Sequence, residues 1–124
     1  MDTTAEKQFE MMATIVALTE DGQVTVLRNL GSTEDFIIAC MVAQNLAHRL
    51  GKTKKQSMSV DDLIGAGGLA QRLARQTVYN TTSALTKAKI LQKQGHEFLV
   101  GERTVLQFFA TRFPQFSKRN GAGA

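Results

Sequence analysis

The 124-residue sequence predicts an α+β fold that is mainly helical. Three observations support this prediction. Two β-rich runs flank the pair Asp21-Gly22, which is a strong local signal for a β-hairpin. Residues 91–100 have the pattern of a second tight hairpin, and most of the remaining chain has the apolar spacing of amphipathic helices. A hydrophobic content of 43% and a charged content of 21% are ordinary for a soluble globular chain with one real core.

The N-terminal part, residues 1–51, is predicted to contain a β-hairpin and a long helix. Residues 1–10 form either a loose helical turn or a disordered segment, and the strands lie within residues 12–18 and 23–27. Ser32 begins the helix, with Asp35 three residues later as an approximate capping box, and Gly51 ends it. Because a two-stranded hairpin cannot cover the wide apolar stripe of this helix, the helix either packs under the C-terminal half or meets its copy in a dimer. We favour the dimer, with an interface formed by Phe36, Ile38, Met41, Val42 and Leu46.

Residues 52–58 are polar and cationic, which predicts a basic linker that is either a phosphate-contacting arm or a solvated loop. Ser59 and Asp62 mark the start of a further helix. Residues 65–68 are expected to be a flexible turn, residues 69–74 to resume the helix, and Thr77 to begin another. After the second hairpin, an amphipathic helix spans residues 105–113 and stops at Pro114, so that residues 114–124 form a flexible tail.

The charge is divided unevenly along the chain. Residues 1–50 contain three Lys or Arg against seven Asp or Glu, whereas residues 51–124 contain twelve against four. A basic half joined to an acidic half indicates that one part of the protein meets a polyanion, although a chance surface distribution remains an alternative.

The segment 76–91 carries the most specific functional signal. Val78, Thr82 and Leu85 recur at helical spacing and define one face of a helix. The opposite face has hydrogen-bonding or cationic side chains and no carboxylate: Gln76, Tyr79, Asn80, Ser83 and Lys87. Such a face suits the major groove of DNA, where a donor and acceptor pattern is framed by phosphates.

Residues 59–113 resemble a winged helix-turn-helix DNA-binding domain. The matching residues are Ala70 and Leu73, Thr77 and Val78, Leu85, and Ala88, Ile90 and Leu91. The resemblance implies a recognition helix over residues 76–89 and a wing tip at residues 93–96. Such modules usually have Gly where Lys89 stands, so Lys there implies a different exit from the helix. In an alternative register the turn is at residues 65–68, one longer recognition helix begins at Leu69, and Arg72 and Arg75 lie on or beside the DNA face.

The predicted DNA contacts fall into two groups. Base edges are contacted by Gln76, Tyr79, Asn80 and Ser83, with Asn and Gln pairing best with adenine. Phosphates are contacted by Arg72, Arg75, Thr77, Lys87, Lys93, His96, Lys54 and Lys55.

Other classes of function have no support in the sequence. His48 and His96 lack the paired spacing of metal ligands, and no catalytic grouping can be assembled, so we expect no enzyme activity, metal or cofactor. The longest strongly apolar run, residues 36–43, is too short to span a membrane. The polar N-terminus argues against a secretory signal, and the single Cys40 indicates a buried, inert thiol in a reducing compartment.

The sequence therefore predicts a cytoplasmic, nucleoid-associated transcriptional regulator. It is expected to bind double-stranded DNA as a homodimer, in a sequence-specific or semi-specific manner and without a small-molecule ligand. Two alternatives remain: a protein-interaction adaptor built on the same scaffold, and a non-specific DNA-coating protein.

Overall fold

One long helix, α2 (Thr33–Arg49), forms the centre of the structure, a computed structural model that describes residues 3–116. All residues from 36 to 47 are buried, so the helix is covered on every side. The Ser32 hydroxyl caps it by accepting a hydrogen bond from the Asp35 backbone N–H at 3.1 Å, as the sequence predicts. A helix buried around its whole circumference needs partners from both halves of the chain, and these partners make up the rest of the fold.

The elements around α2 give an α+β fold that is mainly helical, as predicted. The other helices are α1 (Thr3–Met11), α3 (Val60–Gly67), α4 (Arg75–Lys87) and α5 (Glu102–Gln107). The strands are β1 (Val16–Leu18), β2 (Val24–Val26), β3 (Met58–Ser59), β4 (Gln92–Gln94) and β5 (Glu97–Leu99). A 3₁₀ turn at Met12–Thr14 precedes β1, so the first strand is shorter than predicted.

Strands β1 and β2 form the predicted hairpin, with Val16 opposite Val26. Gly22 lies in its turn with φ +79°, a conformation that favours glycine. A Cβ atom at this position would lie 2.7 Å from the backbone oxygen of Lys52. The hairpin turn therefore packs directly on the loop that follows α2.

The other three strands form an antiparallel sheet in the order β3-β5-β4. Met58 pairs with Phe98, and Gln92 pairs with Leu99. Strands β4 and β5 are the second predicted hairpin, with Gly95 at φ +65° in its turn. Because β3 directly precedes α3, the sheet fixes the hairpin relative to the start of that helix.

Helix α3 begins as the sequence predicts and ends later. The Ser59 hydroxyl accepts a hydrogen bond from the Asp62 N–H at 3.1 Å, and the Asp62 carboxylate accepts one from the Ser59 N–H at 3.0 Å. The predicted break at residues 65–68 is wrong, because α3 continues to Gly67, where the absent side chain gives room to the Phe36 ring of α2. The prediction of a helix at residues 69–74 is also wrong: Gly68, at φ +50°, ends α3, and residues 68–74 form the turn before α4. The alternative register with one long helix from Leu69 is therefore wrong, whereas the helix predicted over residues 76–89 corresponds to α4.

The C-terminal helix differs from the prediction at Pro114. Helix α5 passes into a π-helical segment, Phe108–Arg112, and residues 113–116 continue as helix. The backbone N–H of Phe113 donates to the carbonyl of Phe108, five residues earlier. This wider turn places Pro114 at the start of the next helical turn, where a missing N–H costs little. Residues 114–116 are therefore not a flexible tail, and the buried Phe116 anchors them, whereas residues 117–124 lie outside the described residues.

The predicted dimer interface is wrong for this structure. The five side chains assigned to it are between 0 and 1% exposed in the single chain: Phe36, Ile38, Met41, Val42 and Leu46. They cannot contact a second copy because α1, β2, α3, α4, β5 and the π-helical segment already pack against α2. The core accordingly does not follow the expected division into residues 1–51 and 59–113, and the loop between them is pinned by Gln44, whose amide donates to the Lys55 carbonyl at 2.6 Å.

The expectation that Lys89 gives α4 a different exit is wrong. Lys89 has φ +63°, the left-handed conformation that a glycine at this position would favour. Its backbone N–H donates to the Thr86 carbonyl at 3.0 Å, and the Ile90 N–H donates to the Leu85 carbonyl at 3.0 Å. The helix therefore exits into the hairpin through a left-handed residue even though that residue is Lys.

We predict that Lys89→Gly stabilises the protein by up to about 1 kcal/mol, because relief of the left-handed strain exceeds the extra backbone entropy of glycine in the unfolded chain. Urea denaturation measures this change. Ala84→Gly is the matched control, since Ala84 is exposed within α4 and the same residue type there should destabilise by about 1 kcal/mol. Destabilisation by both variants would contradict the assignment.

Candidate nucleic-acid interface

Helix α4 packs with the face that its sequence predicts. Val78, Thr82 and Leu85 are between 0 and 2% exposed, and α4 lies against α2 and α3. On the other side, Gln76, Asn80 and Lys87 are exposed, Tyr79 is 58% exposed, and Ser83 is half-buried. The helix thus presents a polar face to solvent, while its apolar face anchors it on the core.

The turn before α4 is held by Gln71, which is 4% exposed. Its side-chain oxygen accepts a hydrogen bond from the Leu30 N–H at 2.7 Å, and its amide nitrogen donates to the Gly31 carbonyl at 3.0 Å. Leu30 and Gly31 immediately precede the cap of α2. Gln71 therefore sets the position of the α4 N-terminus relative to the central helix, a role that sequence reasoning missed because its partners lie about 40 residues away.

The side-chain hydrogen bonds on α4 show which of its polar groups already have a partner within the protein. The hydroxyls of Thr81 and Thr86 donate to backbone carbonyls four residues earlier, at 2.8 Å each. The amide nitrogen of Gln76 donates to the side-chain oxygen of Asn80 at 2.9 Å. The threonine hydroxyl protons are thus engaged with the helix backbone, and the two amides form a pair on the exposed face.

The hairpin β4–β5 follows α4 in the chain, and its tip is also exposed. All residues from 92 to 96 are exposed, including Lys93 and His96 at its tip. We use the name α4–hairpin surface for the exposed residues of the turn, α4 and the hairpin tip between residues 72 and 96. Every Lys and Arg in this range is exposed: Arg72, Arg75, Lys87, Lys89 and Lys93.

The α4–hairpin surface has no acidic residue of its own, because residues 63–96 contain no Asp or Glu. The carboxylates that flank this range are ion-paired. Asp61 pairs with Arg75, and Lys55 lies 3.2 Å from Asp62 and 3.0 Å from Glu97. The local field of the surface is therefore set by its cations.

The Lys55 network also changes the pKa values of its members. Burial by itself would raise the pKa of Asp62, but hydrogen bonds from Ser59 and Lys55 outweigh it, and the pKa is lowered. The pKa of Glu97 is lowered by hydrogen bonds from the Ser57 hydroxyl and from Lys55. The pKa of Lys55 is raised, chiefly by its hydrogen bond to Glu97. These groups are charged at neutral pH and hold the loop before β3 against β5.

Two predicted phosphate contacts are engaged inside the protein. Lys55 has two carboxylate partners, Asp62 and Glu97, so its charge is already neutralised and the expectation that it contacts phosphate conflicts with its surroundings. Arg75 has one partner, Asp61, in a pair whose side chains are 67 and 73% exposed, and such a pair opens easily. Thr77 and Lys54 are exposed, as a phosphate contact requires.

A cleft of about 450 Å³ lies between the first hairpin, the loop after α2 and helix α3. Sequence reasoning missed it because its walls come from three separate segments. Its lining includes apolar Val24 and Ala66 and charges of both signs, among them Asp21, Lys54 and Asp62. The mixed charge favours no single class of ligand.

Three further features concern metal binding, membrane spanning and thiol chemistry in the described residues. Residues 3–116 contain no group of three or more His, Cys, Asp or Glu side chains arranged to hold a metal ion. None of the helices in this range combines the length and the apolar character needed to cross a membrane. Cys40 is fully buried in α2, and burial raises the pKa of its thiol.

Comparison of the chain with models of known protein families, with curated proteins and with solved structures finds no match.

We predict that Gln71→Ala destabilises the protein by about 1–3 kcal/mol, because it leaves the Leu30 N–H and the Gly31 carbonyl without their partners. Urea denaturation measures the loss. Gln94→Ala, at an exposed position in β4, is the control and should change stability by less than about 0.5 kcal/mol. Equal effects of the two substitutions would show that Gln71 does not hold the turn.

The Lys55 network predicts a pH dependence of stability. Because the pKa values of Asp62 and Glu97 are lowered by folding, their contribution is present above about pH 4.5 and is lost as the pH falls through the folded pKa values. Glu97→Gln should therefore lower the free energy of unfolding at pH 7, measured by urea denaturation, by less than about 1 kcal/mol since the pair is partly exposed, and the difference from the native chain should disappear as the carboxylates become protonated at acidic pH. Glu102→Gln is the control, because Glu102 has no ion pair in the described residues. A difference that stays constant with pH would contradict the network.

Proposed function

We propose that the protein binds double-stranded DNA through the α4–hairpin surface, with α4 in the major groove. The observation that carries this proposal is that residues 72–96 expose cations and amides and contain no carboxylate. Asp61, Asp62 and Glu97 would repel phosphates if they were free, and each is paired with a cation.

The order of the elements also supports the proposal. Helix α3, a turn, the exposed helix α4 and a hairpin with a basic tip follow one another, as the resemblance to a winged helix-turn-helix domain implies. In this assignment, α4 (Arg75–Lys87) is the recognition helix and β4–β5 is the wing. The turn at residues 68–74 takes the place of both turns considered from the sequence.

Binding would begin with the cations. Arg72, Lys87 and Lys93 contact phosphates and release counterions, which gives affinity that depends on salt but not on sequence. Lys89 joins them, since it is exposed beside Lys87, and Thr77, His96 and Lys54 remain proposed phosphate contacts. Arg75 is left out of these contacts, because releasing it from its pair with Asp61 would expose a free carboxylate beside the bound phosphate. Gln76, Tyr79, Asn80 and Ser83 then lie against base edges.

In this role the protein acts as a nucleoid-associated transcriptional regulator. A homodimer, if it forms on DNA, uses a surface other than α2, whose apolar residues are already covered. The adaptor alternative and the DNA-coating alternative differ from this proposal in measurable ways. An adaptor is indifferent to DNA, and a coating protein binds every duplex equally.

A salt titration of DNA affinity tests the proposal. With about six phosphate contacts, the affinity for a short duplex should fall roughly a thousandfold between 50 and 200 mM salt. Lys87→Ala and Lys93→Ala should each reduce the slope of log K against log salt by about one. Fluorescence anisotropy measures these slopes.

Lys7→Ala is the matched control, because Lys7 is an exposed lysine on α1 in the acidic half. It removes the same charge and should leave the slope unchanged. A flat salt response, or an equal effect of Lys7→Ala, would exclude the α4–hairpin surface as the interface. The double variant Asn80→Ala, Lys87→Ala should abolish DNA retention and leave the melting temperature nearly unchanged, since both side chains are exposed.

A further inference from the structure

The exposed face of α4 contains one fixed pair of amides. Gln76 and Asn80 are four residues apart, so their side chains are neighbours on the helix surface. The Gln76 amide nitrogen donates to the Asn80 side-chain oxygen at 2.9 Å. This bond sets the orientation of the Asn80 amide, with its oxygen toward Gln76 and its nitrogen away from it.

The remaining hydrogen-bonding capacity of Asn80 matches one base. Its nitrogen retains both protons, and its oxygen retains a second lone pair. Adenine presents an acceptor, N7, beside a donor, the N6 amino group, in the major groove, whereas guanine presents two acceptors, N7 and O6. When the oxygen and the nitrogen of the Asn80 amide both face the groove, the nitrogen can donate to N7 of adenine and the oxygen can accept from its N6 amino group. Against guanine, the same orientation would place the amide oxygen beside O6, and two acceptors repel each other.

The neighbouring side chains do not supply a competing code. The hydroxyls of Thr81 and Thr86 donate to backbone carbonyls of the helix. Ser83 is half-buried, and a hydroxyl can either donate or accept, so it discriminates poorly between bases. The bond between the two amides orients both of them, but Gln76 uses one amide proton in it, whereas Asn80 keeps both protons and one lone pair for a base.

We infer that Asn80 selects an adenine in the major groove and that Gln76 is a positioning residue that holds its amide in the selective orientation. This inference rests on the proposed function. Without the bond from Gln76, the Asn80 amide rotates freely and must be ordered on binding, which costs affinity for the matched base. The role differs from that expected from sequence, in which both amides contact bases.

Selection of bound duplexes from a random library, followed by base analogues, tests the role of Asn80. The selected duplexes should share an A·T pair. Replacement of that adenine by 7-deazaadenine, which lacks the N7 acceptor, should weaken binding roughly tenfold, and replacement by guanine should do so at least as strongly. The control analogue, 3-deazaadenine, alters only the minor groove and should bind like adenine. The Asn80→Ala variant should bind all four duplexes equally.

Two variants of Gln76 test positioning. Gln76→Met has a side chain of similar length and no donor, so it should reduce the ratio of adenine to guanine affinity several-fold while its melting temperature stays unchanged. Gln76→Lys keeps an N–H donor and should keep the ratio, although it strengthens binding to both duplexes. The inference is supported if Gln76→Met loses the ratio of adenine to guanine affinity and Gln76→Lys retains it.

These experiments distinguish failure of the proposed function from failure of the roles assigned to Asn80 and Gln76. If the protein retains no duplex at low salt, the proposed function fails and this inference with it. If duplexes are retained without a shared adenine, or if 7-deazaadenine binds as well as adenine, the adenine assignment is overturned while DNA binding stands. If Gln76→Met keeps the full ratio, Asn80 reads adenine without help, and the positioning role is overturned.

Discussion

The complete burial of α2 is the constraint on which the rest of the structure depends. Residues 36–47 expose no side chain, so the elements that cover this helix have to give it apolar faces. Helix α4 gives Val78, Thr82 and Leu85, which leaves its amides and lysine outside. Two buried polar residues of α2 hold connecting segments: Gln44 donates to the Lys55 carbonyl at 2.6 Å, and Asn45 donates to the Val100 carbonyl at 3.0 Å. The position of the candidate interface is therefore a consequence of how the core is filled.

Charge neutralisation gives the surface its character. The basic half of the chain contains four carboxylates, and three of them, Asp61, Asp62 and Glu97, are ion-paired beside the α4–hairpin surface. Arg112, a cation of the basic half, is itself neutralised by ion pairs with Glu34 and Asp35 in the first turn of α2. These pairs contribute little to stability because most are exposed, but they remove repulsion from the neighbourhood of a bound phosphate.

The features that sequence predicted are those determined by near neighbours. The hairpin turn at Gly22, the capping box of Ser59 and the two faces of α4 depend on residues within a few positions, and each is present. The predictions that were wrong depend on residues far apart in the sequence. Residues 69–74 have a helical pattern, but Gln71 bonds to the segment before α2 instead. The apolar stripe of α2 looked sufficient for a dimer because its coverage by five other elements and the π-helical segment is not encoded in its own sequence. Likewise, the partners of Lys55 lie 7 and 42 residues away, so its charge appeared free.

Backbone amide chemical shifts during titration with a short duplex test most directly whether the α4–hairpin surface binds DNA. We expect shifts that saturate and that are concentrated in residues 72–96, with α1 (Thr3–Met11) and the hairpin β1–β2 unaffected. Shifts centred on α1 or on the first hairpin, with residues 72–96 unchanged, would contradict it.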